Sequence, residues 1–176
     1  MTGVDVAPTM VRLALDADPG GDYQVADAAA LPFGDAEFSL VVAYNSLMDV
    51  DDLDGVVHEA ARVLKSGGRL AACVTHPLAD AGVFETAEAD ARFVIAGSYL
   101  ARRRFDGPPM ERNGATIQFR GWAYPLETYV RAFVDAGLLI EALAEPAIPA
   151  AAIARDPGEA RWQRIPAFLL LRALKA

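Results

Sequence analysis

A chain of 176 residues is long enough for one domain with a sizeable buried core and offers no reason to propose two. A net charge of −8 repels phosphates and so argues against nucleic acid as the main partner, while 53% hydrophobic residues suit a globular protein with small or neutral ligands. No stretch reaches the roughly 18 apolar residues of a membrane span, no basic-then-apolar export signal opens the chain, and the single cysteine, Cys73, excludes a disulfide framework or thiolate metal cluster. The expectation is a cytoplasmic protein with no membrane partner and no metal.

The opening TGVDV is a short β-branched strand closing on an acid, Asp5, as in the second strand of a nucleotide-binding α/β domain, where the carboxylate is placed to hold a ribose. Pro8 then sits where a first helical turn tolerates it, and Met10, Val11, Leu13, Ala14 and Leu15 give the following segment a helical apolar face. YQVAD is a second strand ending on an acid, Asp27. FSLVVAYN, closed by Asn45, has the continuous apolar run of a strand buried on both faces. DDLDGVVHEAARVLKSGG reads as a helix with acids in its first turn, Arg62 and Lys65 near its end and Gly67 and Gly68 as its stop. GRLAACVTHP is another buried strand, ended by Pro77, and Cys73 within it reads as a packing residue.

That alternation predicts a parallel sheet with crossover helices. It breaks at residues 78–121, where RRRFDGPP, the turn ERNGA and the alternating TIQFRGW point to an insertion with at least one extra strand. PLETYVRAFVDAGL is a helix with Leu126, Tyr129, Val130 and Phe133 on one face, and LIEALAEP and IPAFLLLRALK, separated by a Pro/Ala-rich loop, are the final strands. The whole reads as one domain over residues 1–176, with 78–121 as a cap within it.

VDVAPTMV, the acid of VADAAALPF, the acid-x-Phe pair of LPFGDAEF and RVLKSGGRL, in that order and spacing, resemble the class I S-adenosylmethionine-dependent methyltransferases, specifically the type 11 domain shared with ubiquinone and menaquinone biosynthesis enzymes. The likeness is strong from Thr2 to about Thr75. It implies an α/β, Rossmann-like class I methyltransferase sheet, mostly parallel with an antiparallel last strand, an insertion after the fifth family strand, and S-adenosyl-L-methionine as cofactor. By resemblance Asp5 would bind the two ribose hydroxyls, Val6 and Met10 would line the adenine pocket, Asp27 would receive the adenine amino group, and Ala28 would offer the ring edge a backbone amide. Asn45, Ser46 and Leu47 would place backbone near the methionine part. Each has a simpler alternative: Asp5 as a helix cap, Met10 in a core, Asp27 in a turn, residues 45–47 as a polar strand-to-helix loop. RVLKSGGRL is structural in this family.

The family's first strand and the glycine-rich loop after it have no counterpart before TGVDV. That strand is central in the family sheet, between residues 2–6 and 38–44, so its loss would leave two inner edges unpaired. Either the flanking strands close up, or another chain supplies the strand, or this is the downstream part of a longer protein with a start site placed too late. The last is favoured, because Met1 stands where a β-branched residue would extend the strand and a GUG codon can encode Val or initiate. Exposed inner edges also favour a homo-oligomer.

On the acceptor side, His76 in VTHP lies at a strand's carboxyl end and is the candidate catalytic base, or else a histidine bonded to neighbouring backbone. His58 reads as a solvated helix residue. Tyr99, Trp122 and Tyr124 would give the cap flat walls for an aromatic or lipid-like small-molecule acceptor, or simply pack it on the sheet. Arg102, Arg103 and Arg104 read as a solvated run that could also clamp an acidic acceptor. The expected function is methyl transfer to a small molecule. The alternatives are a non-catalytic, oligomerising module and an NAD-dependent oxidoreductase, which also carries an acid after its second strand.

Overall fold

The computed structural model describes residues 1–107, 109–112 and 115–176. Its elements begin with β1 (Thr2–Asp5), α1 (Pro8–Ala17), β2 (Asp22–Val25), β3 (Phe38–Tyr44), α2 (Leu53–Val63) and β4 (Leu64–Thr75). The cap follows as α3 (Pro77–Asp80), β5 (Gly82–Phe84), β6 (Phe93–Ile95), β7 (Arg103–Asp106), β8 (Met110–Arg112), β9 (Ala115–Ile117) and β10 (Arg120–Ala123). The chain ends with α4 (Leu126–Asp135), β11 (Leu138–Ala144), α5 (Ala150–Arg155), a 3-10 helix (Pro157–Gln163) and β12 (Phe168–Lys175).

Two separate sheets carry the domain. β1 and β2 pair in parallel, and a four-stranded sheet runs in the order β11-β12-β4-β3, with β3 and β4 parallel and β12 antiparallel to both its neighbours. β1 and β3 do not pair with each other, so the flanking strands have not closed up.

α2 starts where the Asp52 carboxylate accepts the Gly55 N–H at 2.9 Å. Its apolar stripe of Leu53, Val56, Val57, Ala60 and Ala61 is buried against the four-stranded sheet together with Tyr129, Ala132 and Phe133 of α4. From the sheet, Leu70, Ala72 and Val74 of β4, Leu169, Leu171 and Ala173 of β12 and Leu138 of β11 complete this core. Alternate residues point the other way, and there the expectation that FSLVVAYN is buried on both faces is wrong, while β4 is a buried strand as expected, with Cys73 only 8% exposed on that side. Val42 and Tyr44 of β3 are 63% and 71% exposed, and Leu139, Leu143 and Leu170 are exposed beside them. Among the described residues no element covers that face, so a continuous apolar run has only one of its two faces buried.

α2 also ends earlier than its sequence suggests, because Leu64 already has extended backbone and pairs with Phe38 while its side chain is fully buried. Strand pairing and burial win over the helical pattern, and the chain turns at Gly67, whose φ of 77° lies in the left-handed region. The Pro/Ala-rich loop before β12 contains α5 and the 3-10 helix, opened by Pro149 and by Asp156, whose carboxylate accepts the Gly158 N–H. Among the described residues the insertion holds six short strands in antiparallel pairs, β5 with β6, β8 with β9 and β7 with β10. TIQFRGW is split by Gln118 and Phe119 rather than forming one strand. In the turn ERNGA, Asn113 and Gly114 lie outside the described residues. No helix among the described residues is long and apolar enough to cross a membrane.

Candidate active site

The β1–β2 pair aligns Asp5 with Val25, so Asp27 stands two residues beyond Asp5's partner at the same carboxyl rim. Each acid organises the turn after its own strand. One Asp5 oxygen accepts the Ala7 N–H at 2.7 Å and one Asp27 oxygen accepts the Ala29 N–H at 2.9 Å. The second oxygen of each carboxylate takes no donor from the described residues. The turn alternative for Asp27 is therefore real, whereas Asp5 does not cap α1, whose N-cap position is Ala7 with no side-chain hydrogen bond; among the described residues each acid keeps one free acceptor oxygen. Val6 and Met10 are exposed beside Asp5, and Ala28 is half-buried against the core.

Asn45 closes β3 with a φ of 49°, a left-handed conformation that asparagine tolerates better than most residues. Its N–H donates to the Cys73 carbonyl at 2.8 Å and its side-chain oxygen lies 3.5 Å from the Cys73 sulfur. Ser46 is exposed and its carbonyl accepts the Asp49 N–H at 3.0 Å, whereas the Leu47 side chain is buried in the core, so only its backbone can serve a ligand.

Between the loop after β3 and the cap lies a cavity of about 480 Å³. Met48 and Asp49, Thr75 at the end of β4, and Asp80 of α3 form one side, and Phe105, Phe119 and Trp122 of the cap form the other, with Arg103 and Arg120 between them. The Trp122 N–H donates to the Met48 carbonyl at 2.8 Å and its indole N–H to Asp51 at 2.9 Å, which ties β10 to the β3–α2 loop. Gly121 permits that approach, since a Cβ there would stand 2.6 Å from the Met48 carbonyl oxygen.

Partial desolvation raises the Asp49 carboxyl above the usual carboxylate range, although the residue as a whole is exposed. Burial raises Asp80 as well, opposed by the Thr75 hydroxyl, which donates to it at 2.8 Å, and by the charges of Arg103 and His76. Beneath them the Tyr129 hydroxyl is buried without a hydrogen-bond partner among the described residues, and burial followed by the charge of Asp80 pushes it above the usual phenol range.

His76 does not stand ready as a base. Its Nδ1 accepts the Leu78 N–H at 3.0 Å as the cap of α3, and its Nε2 bonds Glu145 at 2.8 Å. Both ring nitrogens are occupied, the residue is buried, and it does not line the cavity. Of the three aromatic candidates only Trp122 lines the cavity. The Tyr99 hydroxyl accepts the first N–H of α4, from Leu126, at 3.0 Å, and Tyr124 is buried edge-on against Tyr129 at 5.5 Å. The arginine run is exposed, as expected of a solvated run, and each member also has a partner. Arg102 stacks on Trp122, Arg103 bonds the Asp80 carbonyl and Arg104 pairs with Asp51. His58 is an exposed helix residue, as expected.

Asp49, Thr75, Asp80, Phe105 and Phe119 are the cavity residues that the sequence pattern does not bring forward. Asp49 hides in the run MDVDDLD, which reads as the acids of a first helical turn, yet only Asp52 caps the helix. An acid upstream of the cap with no capping task was the available signal.

Residues 1–72 match a family described as "Methyltransferase domain". A ubiquinone/menaquinone biosynthesis C-methyltransferase of Desulfotalea psychrophila is 34% identical over 133 residues, which span 69% of this chain and 54% of that protein. A 27-O-demethylrifamycin SV methyltransferase of Amycolatopsis mediterranei is 39% identical over 77 residues, 40% of this chain and 28% of that protein. The chain thus spans about half or less of the length of these curated relatives. Among solved structures, an S-adenosylmethionine-dependent methyltransferase from Mesorhizobium loti superposes with a TM-score of 0.76 at 24% identity, covering 98% of this chain and 79% of that one.

Proposed function

The chain belongs to the S-adenosylmethionine-dependent methyltransferase family and has its class I fold, and from that premise we propose that it transfers a methyl group from S-adenosylmethionine to a small-molecule acceptor held beneath the cap. The observation that carries this reading is a cavity at the carboxyl end of β4 and against the loop after β3, on a domain whose Asp5 and Asp27 share a carboxyl rim. In a parallel α/β sheet that is the edge where ligands bind.

The residues present fit the adenosine part of the cofactor. The free oxygens of Asp5 and Asp27 are acceptors suited to ribose hydroxyls and to the adenine amino group, and Val6 and Met10 offer exposed apolar surface for the ring. Asn45 and Ser46 follow the end of β3 and would face the cofactor's amino-acid part. The bound cofactor supplies a methyl group on a positively charged sulfur, which is displaced in line and needs alignment and a dry pocket more than covalent help. The cavity's aromatic walls provide both for an apolar acceptor.

This reading includes a strand, followed by a glycine turn, that precedes the 176 residues in the natural protein and pairs with the free edges of β1 and β3. The lack of pairing between those strands supports it, as does the exposed apolar surface of β3. Upstream in-frame codons spelling such a strand are expected; an immediate in-frame stop would overturn this part.

Calorimetric titration of the chain with S-adenosylmethionine, and separately with NAD, tests the function. Micromolar binding of the first and none of the second is expected. Silence toward both would leave a fragment or a non-catalytic module, and binding of NAD alone would make it an oxidoreductase.

A further inference from the structure

We propose that Glu145 is a positioning residue: through the buried ring of His76 it keeps the imidazole proton on Nε2 and leaves Nδ1 bare to hold α3, the helix that presents Asp80 to the cavity. The role assigned to Glu145 goes beyond methyl transfer, since it concerns how one cavity wall is fixed and holds whatever the cavity takes.

Donors and acceptors around the ring settle where its proton sits. α3 opens on Pro77, which has no backbone N–H, so Leu78 brings the first free donor of the helix. That N–H points at His76 Nδ1 from 3.0 Å. A nitrogen that accepts carries no proton, so in the neutral ring the proton stands on Nε2. Nε2 lies 2.8 Å from a Glu145 carboxylate oxygen, which when ionised can only accept. The two contacts therefore require the same tautomer, and each supports the other: the carboxylate draws the proton to Nε2, and a proton held there frees the lone pair of Nδ1. His58 shows the opposite case. Its Nδ1 lies 2.8 Å from the Asp54 carbonyl, an acceptor, so its proton belongs on Nδ1.

The ring stands between solvent and the cavity wall. His76 is 6% exposed while the Glu145 side chain is 51% exposed, so a surface acid acts through a buried ring. His76 follows the last residue of β4 and Glu145 the last residue of β11, 69 residues apart in sequence. The His76 N–H donates to the Ala167 carbonyl at 2.9 Å, which anchors the residue against the start of β12. From that anchor its carbonyl accepts the Asp80 N–H at 3.0 Å, and the neighbouring Thr75 hydroxyl donates to the Asp80 carboxylate at 2.8 Å. Thr75, Ala79 and Asp80 line the cavity, and the Arg103 guanidinium bonds the Asp80 carbonyl from the cap side. A helix of four residues has little of its own to hold it, so loss of the Leu78 contact loosens this wall.

Nitrogen-15 spectra of the 176-residue chain distinguish a protonated ring nitrogen from a bare one, and hydrogen exchange at the Leu78 and Asp80 amides reads the helix. At neutral pH the wild-type chain is expected to carry the His76 proton on Nε2. Glu145→Gln, whose amide oxygen can still accept, should keep that tautomer and leave exchange at Leu78 as it is in the wild type. Glu145→Lys puts a donor in front of Nε2, so the proton should move to Nδ1. Leu78 and Asp80 should then exchange about tenfold faster, the worth of a lost helix cap, while β12 exchanges as before. Should the lysine variant fail to fold, Glu145→Ala serves in its place: without an acceptor for Nε2, both tautomers should populate and exchange at Leu78 should rise by about threefold. A wild-type ring protonated on Nδ1, alone or together with Nε2, a lysine variant that keeps its proton on Nε2, or unchanged exchange at Leu78 in the lysine and alanine variants would overturn the proposal. A failed titration with S-adenosylmethionine would count against methyl transfer and not against this role of Glu145.

Discussion

At the scale of single residues, the carboxyl rim holds groups of similar chemistry in different employment. His76 is spent on structure: its ring caps α3 through Nδ1 and bonds Glu145 through Nε2. Replacing it with Ala should therefore cost about 1–2 kcal/mol, the range for a lost cap and a lost hydrogen bond, while S-adenosylmethionine binds as before. Thermal unfolding beside the calorimetric titration would show this; unchanged stability and unchanged cofactor binding with lost methyl transfer would instead make His76 the base. Asp80 behaves oppositely to a salt-bridged acid. Burial holds its pKa above the ordinary value, so the neutral form is favoured in the folded chain. Its stabilising contribution is full below the ordinary carboxylate range and is lost as pH rises through the raised folded value. Urea midpoints of Asp80→Asn measured from acid to neutral pH should accordingly fall less with rising pH than those of the wild-type chain. The roles of Asp5 and Asp27 as strand-closing acids were legible in sequence because a β-branched run ending in a carboxylate has few other meanings. The place of Asp49 in the cavity was not, because what distinguishes it from Asp51, which Trp122 and Arg104 of the cap engage, and from Asp52, which caps α2, is the absence of a side-chain partner among the described residues.

Elements explain why two sequence landmarks travel together. LPFGDAEF ends the loop between β2 and β3 and opens β3 with Phe38, and RVLKSGG runs from the last turn of α2 into β4. Arg62 binds the two: its guanidinium donates to the carbonyls of Leu31 and Phe33 and pairs with Asp35 and Glu59. Glu59 in turn accepts the Leu31 N–H at 2.8 Å. A single arginine thus fastens the loop that continues from Asp27 onto the helix beneath it. Hydrogen bonding from Arg62 holds Glu59 below its ordinary pKa, opposed by slight burial. Here the sign is the usual one for an acid: the contribution is present above the ordinary carboxylate range and is lost as pH falls through the lowered folded value. Glu59→Gln should remove that acid-side loss and speed hydrogen exchange at the Leu31 amide, while exchange in β12 stays unchanged. Equal exchange at Leu31 in both proteins would mean that the loop is held by something else. The cap's strands were not readable to this degree, since pieces of three or four residues carry too little periodicity to be told from turns. α5 was hidden for a different reason, as an alanine-rich segment opened by Pro149 resembles a loop until its hydrogen bonds are seen.

For the whole molecule, the decisive feature is that one side of the four-stranded sheet is built and the other is bare. The side facing α2 and α4 holds the large buried residues, Tyr129, Phe133, Leu70 and Leu169 among them. The side of Val42, Tyr44, Leu139, Leu143 and Leu170 is apolar yet exposed, and among the described residues the edge of β3 away from β4 carries no strand. The apolar run FSLVVAY is what a strand covered on both faces looks like, so pattern and surroundings disagree at this point while they agree elsewhere in the sheet. Consistency between local pattern and packing is the ordinary state of a folded chain, and a large apolar surface is ordinarily covered by something. The upstream strand proposed above would pair with β3, and a helix following it would have this face to pack on. Val42 reads out the difference. In the 176-residue chain, Val42→Lys should change stability by no more than about 0.5 kcal/mol, as surface substitutions do. In a chain lengthened by the upstream codons the same lysine would lie under a packed segment, and burying an unpaired charge there should cost several kcal/mol. Paired urea titrations of the two lengths, each with and without Val42→Lys, decide the matter: a penalty confined to the longer chain is expected, and an equally mild effect in both would mean that the face stays bare and that the upstream residues go elsewhere.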